Sequence, residues 1–209
     1  MDATYRIRNV DSLGTPALVF YEAKIRRNIA RMGEILGGFG RLRPHIKTHK
    51  CREILDMQMQ SGVTRVKCAT PKEAHFAAQA GVRDILLAYP IVGPLAPHVA
   101  AIQRDYPEVA LQVLVDHPAQ LEPLSRACAA AGVEVGVLVD VNSGMNRTGP
   151  RQVARRLHWW SRFGRRAACD SRDCIPTAAR PPRATPPSGR PCTGARFRRS
   201  STPEKLWRA

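Results

Sequence analysis

Between Pro16 and Gly149 the apolar residues follow two alternating patterns. Short runs rich in Val, Leu and Ile fall at residues 17–20, 42–47, 63–69, 84–89, 110–116 and 133–142. Runs of this kind suit parallel strands buried on both faces. Between them lie stretches with apolar residues three and four apart. Ile25, Ile29, Met32, Ile35 and Leu36 form one such stripe, and Gly37-Gly38 ends it. Thr70-Pro71-Lys72-Glu73 supplies a cap, a first-turn proline and an acid at the third position. It predicts a helix through residues 74–80 that stops at Gly81. A third helix is predicted over residues 119–131, ending at Gly132.

Strand and helix recurring every 20–25 residues or so imply parallel βαβ units. The first predicted strand leads into Tyr21-Glu22-Ala23-Lys24 with no glycine-rich loop, which argues against a dinucleotide-binding sheet. The alternative is an α/β chain forming a partial (β/α)8 TIM-type barrel of about six βα units. A complete barrel takes about 250 residues, so residues 1–150 cover only its first part.

After Gly149 the pattern stops. Residues 151–209 hold 14 arginines, one lysine, seven prolines and all three tryptophans. The stretch from Arg180 to Pro187 suits neither a core strand nor a helix interior. The domain reading is therefore a barrel portion over 1–150 and an irregular Arg/Pro-rich basic tail over 151–209. The tail has the composition of GC-rich coding DNA read out of frame. A frameshift or truncation near residue 150 is expected, testable by translating the other two frames of the underlying DNA.

Charge follows the same division. The chain has 33 Lys+Arg, 17 Asp+Glu and a net charge of +16. Residues 1–150 carry 18 basic and 14 acidic side chains, and the tail carries 15 and 3. The bulk basicity thus belongs mostly to the tail, and nucleic acid is not expected as a partner. The start of the chain lacks the apolar core of a signal peptide. No apolar run approaches the ~20 residues of a membrane span. Cys51, Cys68 and Cys128 read as reduced, buried small residues, consistent with a cytoplasmic location.

Two segments carry candidate chemistry. The first is Arg43-Pro44-His45-Ile46-Lys47-Thr48-His49-Lys50. Strand alternation sends Leu42, Pro44 and Ile46 toward the helices, and Arg43, His45 and Lys47 toward the barrel interior. Lys47 falls at the strand's C-terminal end, where such barrels place their active sites. Its cationic neighbours and desolvation should favour the neutral amine that Schiff-base chemistry requires. The same spacing also fits an interior lysine paired with a carboxylate, or a solvated loop lysine. The second segment runs from Val139 to Gly149. Valines 135, 137, 139 and 141 form one strand face; Asp140 and Asn142 reach the barrel mouth on the other. Gly144 and Gly149 bracket a loop in which Arg147 can present its fork to a phenolate or phosphate oxygen. An ordinary strand-end loop with a surface arginine fits equally.

With Gly14-Thr15-Pro16-Ala17-Leu18-Val19, Leu87-Ala88-Tyr89-Pro90 and Gly144-Met145-Asn146-Arg147-Thr148-Gly149, these segments resemble a known family. The chain is similar, over about residues 10–150, to the N-terminal portion of alanine-racemase-like (fold type III) pyridoxal-phosphate enzymes. Within them it most resembles the D-threonine aldolase and D-serine dehydratase branch. The resemblance implies a pyridoxal 5′-phosphate cofactor carried on Lys47, the catalytic lysine. It also implies that Arg147 contacts the cofactor's phenolic oxygen and that His45 lies near the cofactor. The implied reaction is lyase cleavage of a D-3-hydroxy amino acid to glycine and an aldehyde. Dehydration of D-serine type and racemization are the alternatives. The family's divalent metal and most of its phosphate loop come from later segments, and no matching ligands occur after residue 150. Cys169 and Cys174 lack a second pair for zinc. The expected partner is a small D-amino acid, with a homo-oligomer left open and no membrane. For the chain by itself, a non-catalytic remnant that keeps the lysine is the favoured physical reading. A basic nucleic-acid-binding protein is the alternative of another class. Open sheet edges further predict a chain that is aggregation-prone or only partly folded when expressed alone.

Overall fold

The computed structural model describes residues 5–142 and 144–150, together with the two dipeptides 170–171 and 192–193. The chain enters helix α1 (Glu22–Leu36) and passes through a turn into helix α2 (Arg52–Gln60). Strand β1 (Arg65–Cys68) follows, then α3 (Pro71–Gln79), β2 (Asp84–Pro90) and α4 (Leu95–Asp105). Strand β3 (Ala110–Val115), α5 (Leu121–Ala131) and β4 (Gly136–Val139) complete the alternation. The four strands form one parallel sheet in chain order. This is the sequential β-α progression of a TIM-type barrel, present here as part of one. Beyond it, the dipeptides Asp170–Ser171 (β5) and Cys192–Thr193 (β6) pair in parallel. The rest of the predicted tail, including Cys169 and Cys174, lies outside the described residues.

The helix boundaries follow local chemistry. Gly37 closes α1 at φ +65° and Gly132 closes α5 at φ +69°, both left-handed. Such a backbone carries no Cβ penalty only in glycine. Thr70 Oγ1 accepts the Glu73 N–H at 3.2 Å, and Pro71 opens α3. The Glu73 carboxylate reaches one residue further back than a standard capping box, accepting the Ala69 N–H at 2.8 Å. Helices α2 and α4 are not marked out by the apolar spacing. The first is short and buries only Ile54, Leu55 and Gln58; the second carries Pro97 in its first turn.

The core lies between the sheet and its helices. Val66, Cys68, Ile85, Leu87, Leu111, Val113, Val115 and Val137 point there, with Leu55, Ala74, Ala77, Val99, Leu121 and Leu124 opposite. The other sheet face carries a smaller apolar cluster of Leu86, Leu114 and Leu138, flanked by Ala88. The predicted valine face of the last strand is present: Val135 and Val137 are buried and Val139 packs against them. Cys51, Cys68 and Cys128 are free thiols, but only Cys68 is buried; the other two are half-buried. Burial pushes the Cys128 thiol up to about 11 and the Cys68 thiol further still. Among the described residues no helix is long and apolar enough to cross a membrane.

Two predicted strands differ from expectation. Residues 17–20 make no strand, and Leu18 is 75% exposed. A strand exists only through its partner, and no described residue pairs with this segment. Of residues 42–47, only His45 forms a bridge, to Lys67 of β1. Pro44 has no N–H to donate, so the contact is carried by its carbonyl, which accepts the Lys67 N–H at 2.9 Å. The chain then turns into a 3-10 helix, Ile46–Thr48. The described sheet thus has four strands and one bridge where six strands are predicted.

Candidate active site

The bridge and three strand registers align one row across the sheet: His45, Lys67, Leu86, Gln112 and Gly136. Side chains two apart along a strand share a face, so this row lies on the face that carries Leu114 and Leu138, away from the helices. The C-terminal ends of the strands rise beyond it. At one edge stands the turn with Lys47; at the other stands the loop with Arg147.

The Lys47 turn is fastened on both sides. Before it, Arg43 meets Asp84 of β2, with Nη1–Oδ1 at 2.9 Å and an Nη2–H donated to Oδ2 at 3.0 Å. After it, Lys50 Nζ lies 3.6 Å from Glu73 Oε1, and Glu73 is 7% exposed. Ile46 is fully buried in the main core and anchors the turn from below. His45 Nδ1 accepts the Lys47 N–H at 3.3 Å, and His49 Nδ1 accepts the Cys51 N–H at 3.2 Å. The predicted alternation therefore holds for Leu42 and Ile46, which pack on the core, against Arg43 and His45. Lys47 leaves the strand pattern because the 3-10 turn begins at Ile46. Its side chain is exposed, and among the described residues its amine forms no ion pair.

His45 is held neutral. Burial, together with the positive charges of Lys47 and Lys67, lowers its pKa to about 4; Glu73 and a hydrogen bond with the Lys67 backbone oppose this weakly. Burial likewise lowers Lys67, with Lys47 and Arg43 adding like-charge repulsion. His49 is lowered by burial, and its Nε2 is buried without a hydrogen bond.

At the far edge, Asn142 organises the loop after β4. Its Oδ1 accepts the N–H groups of Gly144 (2.9 Å) and Asn146 (3.1 Å), and its Nδ2 donates to Asn146 Oδ1 (3.3 Å). Asp116 Oδ2 accepts the Gly149 N–H at 3.2 Å. Gly149 has φ +83°, and a Cβ there would lie 2.6 Å from the Asn142 nitrogen. Only glycine fits. Asp140 is buried, while Arg147 is exposed.

Of the predicted site residues, the fold brings His45 and Lys47 into direct contact. Arg147 sits at the same end of the sheet but across it: the positions of His45 and β4 are four strand spacings apart, roughly 19 Å along the sheet. No described contact joins Arg147 to the lysine turn. Lys67, Glu73, Asp84, Asp116 and Gln112 are not read from the sequence as site residues, Glu73 entering there only as a helix-capping acid, yet all bear on this end or face. The signal for Lys67 was legible: in Arg65-Val66-Lys67-Cys68 the charges alternate with apolar residues, which places both cations on the face away from the helices. Among the described residues no group of three or more His, Cys, Asp or Glu side chains is placed to hold a metal ion.

The chain is similar to known proteins. The family model for the alanine racemase N-terminal domain matches residues 22–166. A D-threonine aldolase of an Arthrobacter species is 34% identical over 137 residues, covering 65% of this chain and 35% of that protein. A D-threo-3-hydroxyaspartate dehydratase of a Delftia species is 32% identical over 141 residues, covering 66% and 36%. The crystal structure of the Filomicrobium marinum D-threonine aldolase superposes with a TM-score of 0.64 at 32% identity, over 71% of this chain and 40% of that one. The chain thus spans little more than a third of the length of these relatives. The matched family region covers the sheet, its helices and both candidate segments. The chain belongs to the alanine racemase N-terminal domain family.

Proposed function

We propose that this chain is the front portion of a pyridoxal-phosphate-dependent lyase of the D-threonine aldolase type, acting on a small D-3-hydroxy amino acid in a reducing compartment. One observation carries the proposal: a lysine amine with no ion-pair partner among the described residues stands on a doubly fastened turn at the C-terminal end of the sheet. The relatives named as D-threonine aldolase and D-threo-3-hydroxyaspartate dehydratase support the substrate class.

The residues present fit part of the cofactor. An aldehyde calls for an accessible amine, and Lys47 is exposed. A phenolic oxygen calls for a rigid cation fork, and Arg147 is exposed on a loop tied down by Asn142 and Asp116. When bound, the cofactor supplies the electron sink for breaking a bond at the substrate's Cα. Two of the chain's own residues would take part. His45, neutral and bonded to the Lys47 N–H, orients the turn without adding charge. Lys47 Nζ would hold the cofactor's aldehyde and, when its amine is free, would take a proton from the substrate. The metal does not fit the described residues, and no step is assigned to it.

Dehydration of the same substrate class is the second reading, favoured by the dehydratase relative. Both are tested together. Pyridoxal phosphate added to the chain should give a visible band that borohydride fixes on Lys47. Persistence of the band and its fixation in Lys47→Ala refutes the assignment. Release of aldehyde from D-threonine, against a keto acid and ammonia, separates aldolase from dehydratase. A trapped lysine with no turnover identifies the chain as a remnant.

A further inference from the structure

Beside the lysine turn, the face of the sheet away from the helices gathers three cations, Lys67, Lys47 and Arg43, around His45. Lys67 is half-buried there, directly opposite His45. Lys47 and Arg43 are close enough to repel its charge. Two carboxylates stand nearby, and both are committed. Asp84 holds Arg43 through two contacts of 2.9 and 3.0 Å. Glu73 accepts the Ala69 N–H and faces Lys50. Lys67 forms no ion pair with any described residue, and neither does Lys47. The imidazole between them is neutral and offers no compensating charge. Two positions along the same row, Gln112 Oε1 is buried with no hydrogen bond. The Gln112 side chain lies over Gly136, where any Cβ would meet its Cγ at 2.9 Å. An uncompensated, partly desolvated ammonium is costly, and the cost is relieved by an anion.

From this we infer that Lys67, beside the Lys47 turn, receives the carboxylate of a small hydroxy acid ligand on the inner face of the sheet. The inference rests on the substrate class proposed above and names the residue that would read its anionic end. Lys67 sits one strand layer below the Lys47 turn, so a ligand reacting at Lys47 would direct its acid group down the face toward Lys67. The unpaired Gln112 Oε1 is an acceptor further along the floor, suited to a ligand hydroxyl. Leu86 and Leu114 between them keep that floor otherwise apolar.

The probe is D-glycerate, which keeps a carboxylate and hydroxyls but has no amine. It binds without any cofactor, so failure of borohydride trapping on Lys47 leaves this measurement intact. The full chain is treated with limiting acetic anhydride, and acetylation at Lys67 is read by mass spectrometry. D-Glycerate should slow Lys67 acetylation at least fivefold, and its neutral amide should not. Affinity for D-glycerate should fall at least tenfold in Lys67→Met and be largely kept in Lys67→Arg. The footprint on the unaltered chain needs no variant, so a folding defect in Lys67→Met does not blur the outcome. Three results overturn the inference. The first is acetylation unaffected by D-glycerate. The second is Lys67 already protected without ligand, which would mean that a carboxylate of the chain itself covers it. The third is protection by inorganic phosphate but not by D-glycerate, which would make the pair a phosphate site.

Discussion

The two edges of the sheet hold their candidate site loops by different means. The Lys47 turn is pinned by burial: Ile46 is fully buried beneath it, and ion pairs brace it before and after. The Arg147 loop is pinned by hydrogen-bond geometry: Asn142 and Asp116 collect its backbone N–H groups, and Gly149 passes where no side chain fits. Burial is tolerant of direction but sensitive to volume. Hydrogen-bond geometry is the reverse. The lysine edge should therefore fail when atoms are removed, and the arginine edge when one is added.

The largest effect is expected at the lysine edge. Ile46→Ala removes a fully buried side chain and should cost about 2–5 kcal/mol, read as a drop in the urea midpoint at unchanged slope. A change under half a kilocalorie would show that the turn is not anchored by its core contact. At the arginine edge, Gly149→Ala forces a Cβ against Asn142 at positive φ, costing about 1–3 kcal/mol. Faster proteolysis confined to residues 142–150 is the expected readout, and unaltered cleavage there would contradict the steric account. Asp84→Asn leaves Arg43, which is 12% exposed, without its counter-charge. Because Asp84 is 31% exposed, the loss should be only about 1–2 kcal/mol, checked by thermal melting.

A smaller effect is a pH dependence. His45 has a pKa of about 4 in the fold against 6.5 in the open chain. Between those values the unfolded chain binds more protons, so stability rises with pH. The neutral-imidazole contribution is complete above pH 6.5 and is lost as pH falls toward 4. Imidazole NMR should show His45 still unprotonated at pH 5.5; a midpoint near 6.5 would refute its burial between two ammonium groups. His49, also lowered by burial, shares the window, so the site-resolved signal decides. The smallest change belongs away from both edges. Arg26→Ala removes an exposed i,i+4 pair with Glu22 and should cost no more than about 0.5 kcal/mol, a reference against which the edge variants are scaled by the same melt.

Much of the fold was legible before any coordinates. Helix ends announced themselves through Gly37, Gly132 and Thr70, because capping is local chemistry. The strands over β1 to β4 were legible because each is apolar toward the helices and bounded by turn residues. Helices α2 and α4 were not, since a short helix buries too few apolar residues to show a period. In the candidate site, His45 and Lys47 were legible together because they are neighbours in sequence. Glu73 and Asp84 were not, although each braces the lysine turn. Their partners, Lys50 and Arg43, lie 23 and 41 residues away, and no local pattern connects them.

Sequence alone determined where helices begin and end, which strand faces are apolar, and which lysine and arginine head the two segments of this alanine racemase N-terminal domain. These follow from steric preference and from burial periodicity, both readable over a few residues. The tertiary structure decided which carboxylates are spent and which cations are left over. It turned a predicted strand into a single bridge and a 3-10 turn, and set Lys67 opposite His45. Such outcomes depend on register between strands. Register is fixed only when the whole sheet packs, because a slip of one residue would reverse every face.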